Sequence, residues 1–159
     1  MIACSTCHGL GSNRIRKIEK NGKVSPIAGS GNLGYADGNG VFTAFSYPKS
    51  ITVDGAGNIF VGDGISGAGS HRIRRFSPQG IVTTLVGGQS YPYRDGTTAI
   101  ASVYEIQSIA TDSFGSIYFT QSDGNFPVLR KVAPEGWVTT IAGSSTGYSD
   151  GPGRTALFG

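Results

Sequence analysis

The chain has 159 residues, 26 of them glycine, with 14% charged residues and a formal net charge of +3. That composition excludes a highly charged disordered chain, and no apolar run is long enough to cross a membrane as a helix. Two cysteines are too few for a disulfide framework, and apolar positions at helical spacing are missing, so the expectation is an all-β protein with many tight turns.

In chain order the first motif is Cys4-Ser5-Thr6-Cys7-His8, spelled like a c-type haem attachment site, in which two thioethers hold the porphyrin and the histidine ligates iron. A two-cysteine-plus-histidine metal site is a further alternative. Against both, Ile2-Ala3-Cys4-Ser5 aligns without gaps to Phe60-Val61-Gly62-Asp63 in the next copy of an internal repeat. No cytochrome-like helix follows, and the only methionine is Met1. The motif therefore reads as strand and loop, with haem as the cofactor alternative.

The repeat organises everything that follows. Asn13-Arg14-Ile15-Arg16-Lys17 is matched by His71-Arg72-Ile73-Arg74-Arg75, and Val128-Leu129-Arg130-Lys131-Val132 fills the slot a third time. Then come Val24-Ser25-Pro26-Ile27-Ala28-Gly29, Val82-Thr83-Thr84-Leu85-Val86-Gly87 and Val138-Thr139-Thr140-Ile141-Ala142-Gly143. Linkers carry Tyr35-Ala36-Asp37-Gly38, Tyr93-Arg94-Asp95-Gly96 and Tyr148-Ser149-Asp150-Gly151, each followed by an apolar anchor, Phe45, Val103 or Phe158. The pattern then enters Ser50-Ile51-Thr52-Val53-Asp54 and Asn58-Ile59-Phe60-Val61, or Ser108-Ile109-Ala110-Thr111-Asp112 and Ser116-Ile117-Tyr118-Phe119.

Four short β-rich runs per period, a to d, separated by turn residues, make one blade of a β-propeller. The expected units are residues 1–34, an incomplete blade with runs b, c and d; 35–92 and 93–147, two blades with their leading linkers; and 148–159, a linker to a further blade. About two and three-quarter blades form an open arc, because closure takes roughly four to eight. The chain then reads as part of a larger wheel, completed by further blades of the same propeller or by other copies of itself.

Asn13-Arg14-Ile15-Arg16-Lys17 and His71-Arg72-Ile73-Arg74-Arg75, each ahead of a β-rich run, resemble the signature of the NHL repeat in its long-linker form. Pro127-Val128 departs from the pattern where the other copies have Asn13-Arg14 and His71-Arg72. The resemblance implies a partial NHL-type propeller that acts as an interaction scaffold. Some family members bind RNA through a basic propeller face, which keeps nucleic acid as an alternative partner.

Residues present in every copy belong first to the scaffold. The Asp-Gly aspartates read as turn formers bonding their own backbone, with calcium as a weaker alternative, and Asp54 and Asp112 as turn residues. The arginines of run c are expected to lie along neighbouring blades with their heads in water. The inner runs carry no metal-ligating or nucleophilic set, so the expectation is a non-enzymatic chain whose partner is a protein or peptide. Unrepeated loop residues are the binding candidates: His71, Tyr91, Arg94, Asp123, Asn125 and Phe126, on loops that emerge on one face. Trp137, opening an outer run, is a further exposed aromatic candidate.

Overall fold

In the computed structural model the described residues are 2–5, for which only the backbone is considered, and 12–64, 71–88, 94–122 and 124–158. The strands are β1 (Ile2–Ser5), β2 (Arg14–Ile18), β3 (Val24–Ala28), β4 (Gly38–Asn39), β5 (Pro48–Val53), β6 (Ile59–Asp63) and β7 (Arg72–Phe76). They continue with β8 (Ile81–Gly87), β9 (Gly96–Thr97), β10 (Ile106–Thr111), β11 (Ile117–Gln121), β12 (Val128–Val132) and β13 (Trp137–Ala142). Two single-turn 3₁₀ segments, Gly40–Phe42 and Gly153–Thr155, occupy equivalent places in the first and the last linker.

The strands form three antiparallel sheets in the orders β1-β2-β3, β5-β6-β7-β8-β4 and β10-β11-β12-β13-β9. Each complete sheet is built on four consecutive strands, as the repeat predicts, and the chain is an all-β partial propeller. The turn after β5 is held by Asp54, whose Oδ1 accepts the Asn58 amide at 2.8 Å; Asp112 accepts Ser116 in the same way after β10, also at 2.8 Å. Both aspartates are the turn residues that their position suggested.

One strand of each complete blade was not legible in the repeat. The Asp-Gly linker that precedes a blade adds a two-residue strand to that blade's outer edge: Gly38 pairs with Val82, and Gly96 with Val138. Two residues are too short for alternation to show in a sequence. The linker thereby covers an edge that would otherwise expose unpaired backbone groups.

The core lies between the blades. Phe45, at 0% exposure, joins Ile15 and Ala28 of the first sheet to Ile59, Val61 and Val82 of the second. Val103 joins Ile73 and Val86 to Ile109, Phe119 and Val138 in the same manner. Linker anchors thus fill the seams, where burying such a side chain contributes about 1.5–3 kcal/mol. On the innermost strands the Thr52 and Thr111 hydroxyls meet at 3.3 Å across the second seam.

Candidate functional site

The repeated polar residues assemble first, and they are structural. Register shifts fall between Ile15 and Arg16, Ile73 and Arg74, and Leu129 and Arg130, so a β-bulge precedes the same arginine in every blade. Arg74 and Arg130 are fully buried, which corrects the expectation of heads in water. Arg74 Nη1 donates to Ala44 O at 3.0 Å and to Asp63 Oδ2 at 3.1 Å, while Nη2 donates to Ala36 O at 3.0 Å and Asp37 Oδ1 at 2.7 Å. Arg130 repeats this with Ser102 O, Gln121 Oε1, Arg94 O and Asp95 Oδ1. The outward arginine, Arg75, does keep an exposed head, bonded to Asn58.

Asp37 and Asp95 are therefore clamps from linker to blade rather than turns closing on themselves. Each also accepts from the following blade's outer strand: Thr84 N to Asp37 at 2.8 Å, and Thr140 N to Asp95 at 2.9 Å. Burial works against the Asp95 charge, but the hydrogen bonds from Thr140 and Arg130 outweigh it and hold the carboxyl below its ordinary value. Asp63 behaves differently. Burial raises its pKa to about 6, against the opposing pull of Arg74 and of the Ser46 amide.

With the scaffold identified, the unrepeated residues can be placed. Arg94 and Phe126 come together. They line an open surface groove of about 510 Å³ with Asp95, Thr140, Gly143, Ser144 and Arg154. The Arg94 side chain is exposed and donates to Ile100 O at 2.9 Å, and Phe126 is 38% exposed. Arg154 crosses from the last linker to bond Thr140 O at 3.0 Å and Asp95 Oδ2 at 2.9 Å.

Arg154 is the residue that reading the sequence missed. Its equivalents, four positions after each linker aspartate, are Val41 and Ala99, so the signal of an unrepeated charge was present. Asn125 is exposed beside Phe126 and its carbonyl accepts the Thr146 amide at 3.0 Å.

His71 does not join this surface. It stands immediately before β7 at 1% exposure, its ring 5.0 Å from that of Tyr104, and its Nε2 is buried with no hydrogen-bond partner. Desolvation lowers its pKa from 6.5; nearby Glu105 works against that, and Lys49 adds to it. A position that looked like a loop in sequence is a packed strand start, because Tyr104 and the backbone at Gly64 lie against it. The hypothetical Cβ of Gly64 would lie 2.5 Å from His71 Nδ1.

Tyr91 and Asp123 lie outside the described residues, as do Cys7, His8 and the side chain of Cys4. Among the described residues no cluster of three metal-ligating side chains occurs. Trp137 is 52% exposed at the start of β13.

No protein-family model matches the chain, and no curated protein sequence matches it. Among solved structures, it is similar to a Bacteroides thetaiotaomicron protein of unknown function. That match has 26% identity and a TM-score of 0.65, and spans 75% of this chain but 29% of that one. It is also similar to an auxiliary nutrient binding protein from the same organism, with 16% identity and a TM-score of 0.55, over 92% of this chain and 35% of that one. The chain thus spans about a third of the length of these structures, and the fold is what it shares with them.

Proposed function

We propose that this chain is a non-enzymatic segment of an NHL-type propeller that acts as an interaction scaffold, and that the groove of its third blade takes an acidic peptide segment of a protein partner. The observation that carries this reading is the convergence of Arg94, Phe126 and Arg154, three residues without counterparts in the other blades, on one open groove. A rigid scaffold that presents unrepeated loop residues is how recognition groups are commonly carried. Guanidinium groups beside an aromatic ring suit a carboxylate next to an apolar residue.

Two alternatives are weaker. Nucleic acid would need an accessible basic stripe with aromatic platforms, and Arg74 and Arg130, the repeated members of that stripe, are spent inside the blades. A small nutrient is suggested by the description of one structure that shares the fold, but an open groove between two arginines fits an extended anion better than an enclosed small molecule.

The test is selection of a displayed random-peptide library on the chain and on an Arg94→Ala, Phe126→Ala double variant. Peptides combining Asp or Glu with an aromatic residue should be enriched on the first and lost on the second. Equal recovery of the same peptides from both would overturn the reading.

A further inference from the structure

The seam between the second and third blades holds one titratable ring that the repeat does not require. His71 stands where the other copies have Asn13 and Pro127, and Tyr104 stands where the preceding linker has Ser46. In the first seam the same place is closed by hydrogen bonds: Asn13 Oδ1 accepts the Tyr47 amide at 3.2 Å, and its Nδ2 donates to Gly31 O at 3.4 Å. In the second seam it is closed by ring packing, with His71 against Tyr104 and its Nε2 buried without a partner. That arrangement suits only the neutral imidazole, because burying an unpaired charge is costly.

The groups around the ring do little for a cation inside the seam. Glu105 is the carboxylate whose field reaches it, and Lys49 of β5 already holds that carboxylate at 2.7 Å. On β6 the Asp63 carboxylate turns into the first seam, toward Arg74 and the Ser46 amide. On β7 the Arg72 guanidinium lies over Tyr35, 3.8 Å from its ring centre. The linker adds the neutral phenol of Tyr104, and β11 the neutral amide of Gln121.

Tyr104 also ties the ring to the groove. Its amide donates to Gln121 Oε1 at 3.4 Å, and the same oxygen accepts from Arg130 Nη1 at 3.1 Å. Arg130 Nη2 then donates to Arg94 O and to Asp95 Oδ1, each at 2.9 Å. Within the same linker the Ser102 amide donates to Arg94 O at 3.2 Å. One hydrogen-bonded chain thus runs from the histidine's packing partner to Arg94 and Asp95.

We propose that the second seam is a pH-sensitive latch: protonation of His71 drives its ring away from Tyr104 toward water and loosens residues 94–105, which carry Arg94 to the groove. The neutral ring closes the latch. Burial lowers the pKa of the closed ring from 6.5, whereas a ring released into water titrates as an ordinary histidine. The open state therefore binds the proton more readily, and opening sets in as pH falls below that value. Control of ligand binding rests on the groove being a binding site; the latch itself does not.

Amide hydrogen exchange on the full chain tests the latch. From about pH 7.5 to about pH 5, corrected for intrinsic exchange, protection of the Ser102 and Tyr104 amides should fall about tenfold more in the wild type than in His71→Asn. Asparagine is the first blade's residue at this place, and Asp63 titrates in both proteins and cancels in the comparison. Tyr104→Ser, likewise borrowed from the preceding copy, removes the packing and should abolish the excess loss; it serves if His71→Asn fails to fold. Amides of β11 and β12 should respond alike in every protein compared. Peptides selected on the groove should lose affinity for the wild type at the lower pH more than for His71→Asn. An equal fall in protection in the wild type and both variants would overturn the latch, whatever the peptides do. Peptide affinity indifferent to a latch that opens would overturn its coupling to the groove.

Discussion

Arg74 and Asp37 meet at 2.7 Å across 37 residues of sequence, one from the third strand of a blade and the other from the linker that leads into it. The arginine is wholly buried and the aspartate side chain 44% exposed, so the two ends of this bond differ in what their removal costs. Arg130 and Asp95 form the same bond one blade later, at 2.9 Å.

Arg74→Ala strands Asp63, leaves two linker carbonyls without their donor and empties a large buried volume. It should cost about 3–5 kcal/mol, a large part of a domain's whole stability. Asp37→Ala leaves Arg74 bonded to Asp63 and two carbonyls, and its charge is half in water, so about 1–2 kcal/mol is expected. Urea unfolding of the two variants checks the order; equal losses would contradict it.

Asp63 makes stability depend on pH in an unusual direction for an acid. Burial raises its folded-state pKa to about 6, above the ordinary 3.8, so the folded chain keeps a proton that the unfolded chain gives up. This group's contribution is fully present below about pH 4 and is lost as pH rises through 6. Asp63→Asn removes the titration, so its stability should be flatter than the wild type's over that window, by roughly 2–3 kcal/mol across the whole of it. Gln121, which takes the same place in the third blade, shows that a neutral amide can serve there. Thermal melts at pH 4 and pH 7 measure the difference.

Gly87 turns the chain out of β8 with φ of +104°, and a Cβ there would stand 2.3 Å from His71 O. Gly29 and Gly143 meet the carbonyls of Asn13 and Pro127 in the same way, each at 2.4 Å. Gly87→Ala should therefore cost about 3 kcal/mol or more, because the clash adds to the backbone strain. Gly80→Ala, with φ of +85° and open space around it, should cost about 1–2 kcal/mol. Chemical denaturation of both variants separates close packing from backbone conformation.

Arg94→Ala and Phe126→Ala remove side chains exposed on the groove and should each change stability by less than about 1 kcal/mol. Their effect belongs to binding, so a variant that melts like the wild type and still fails to retain selected peptides is the expected combination.

The sequence by itself determined the blades. Apolar alternation and turn residues recur with the period, and the main-chain pairing of consecutive strands follows from them. The same recurrence separated Arg94 and Phe126 from the scaffold, because a repeat compares itself with its own copies. It could not show where the repeated polar groups point. Alternation assigns a residue to a face of its own strand, but Arg74 reaches Asp37 only because a bulge re-aims it and a linker crosses the seam above it. His71 was misjudged for the same reason, since its burial is supplied by Tyr104, more than thirty residues later. Only the tertiary structure, where long-range packing decides which charges are buried and which stay in water, turned the arginines of the repeat into clamps.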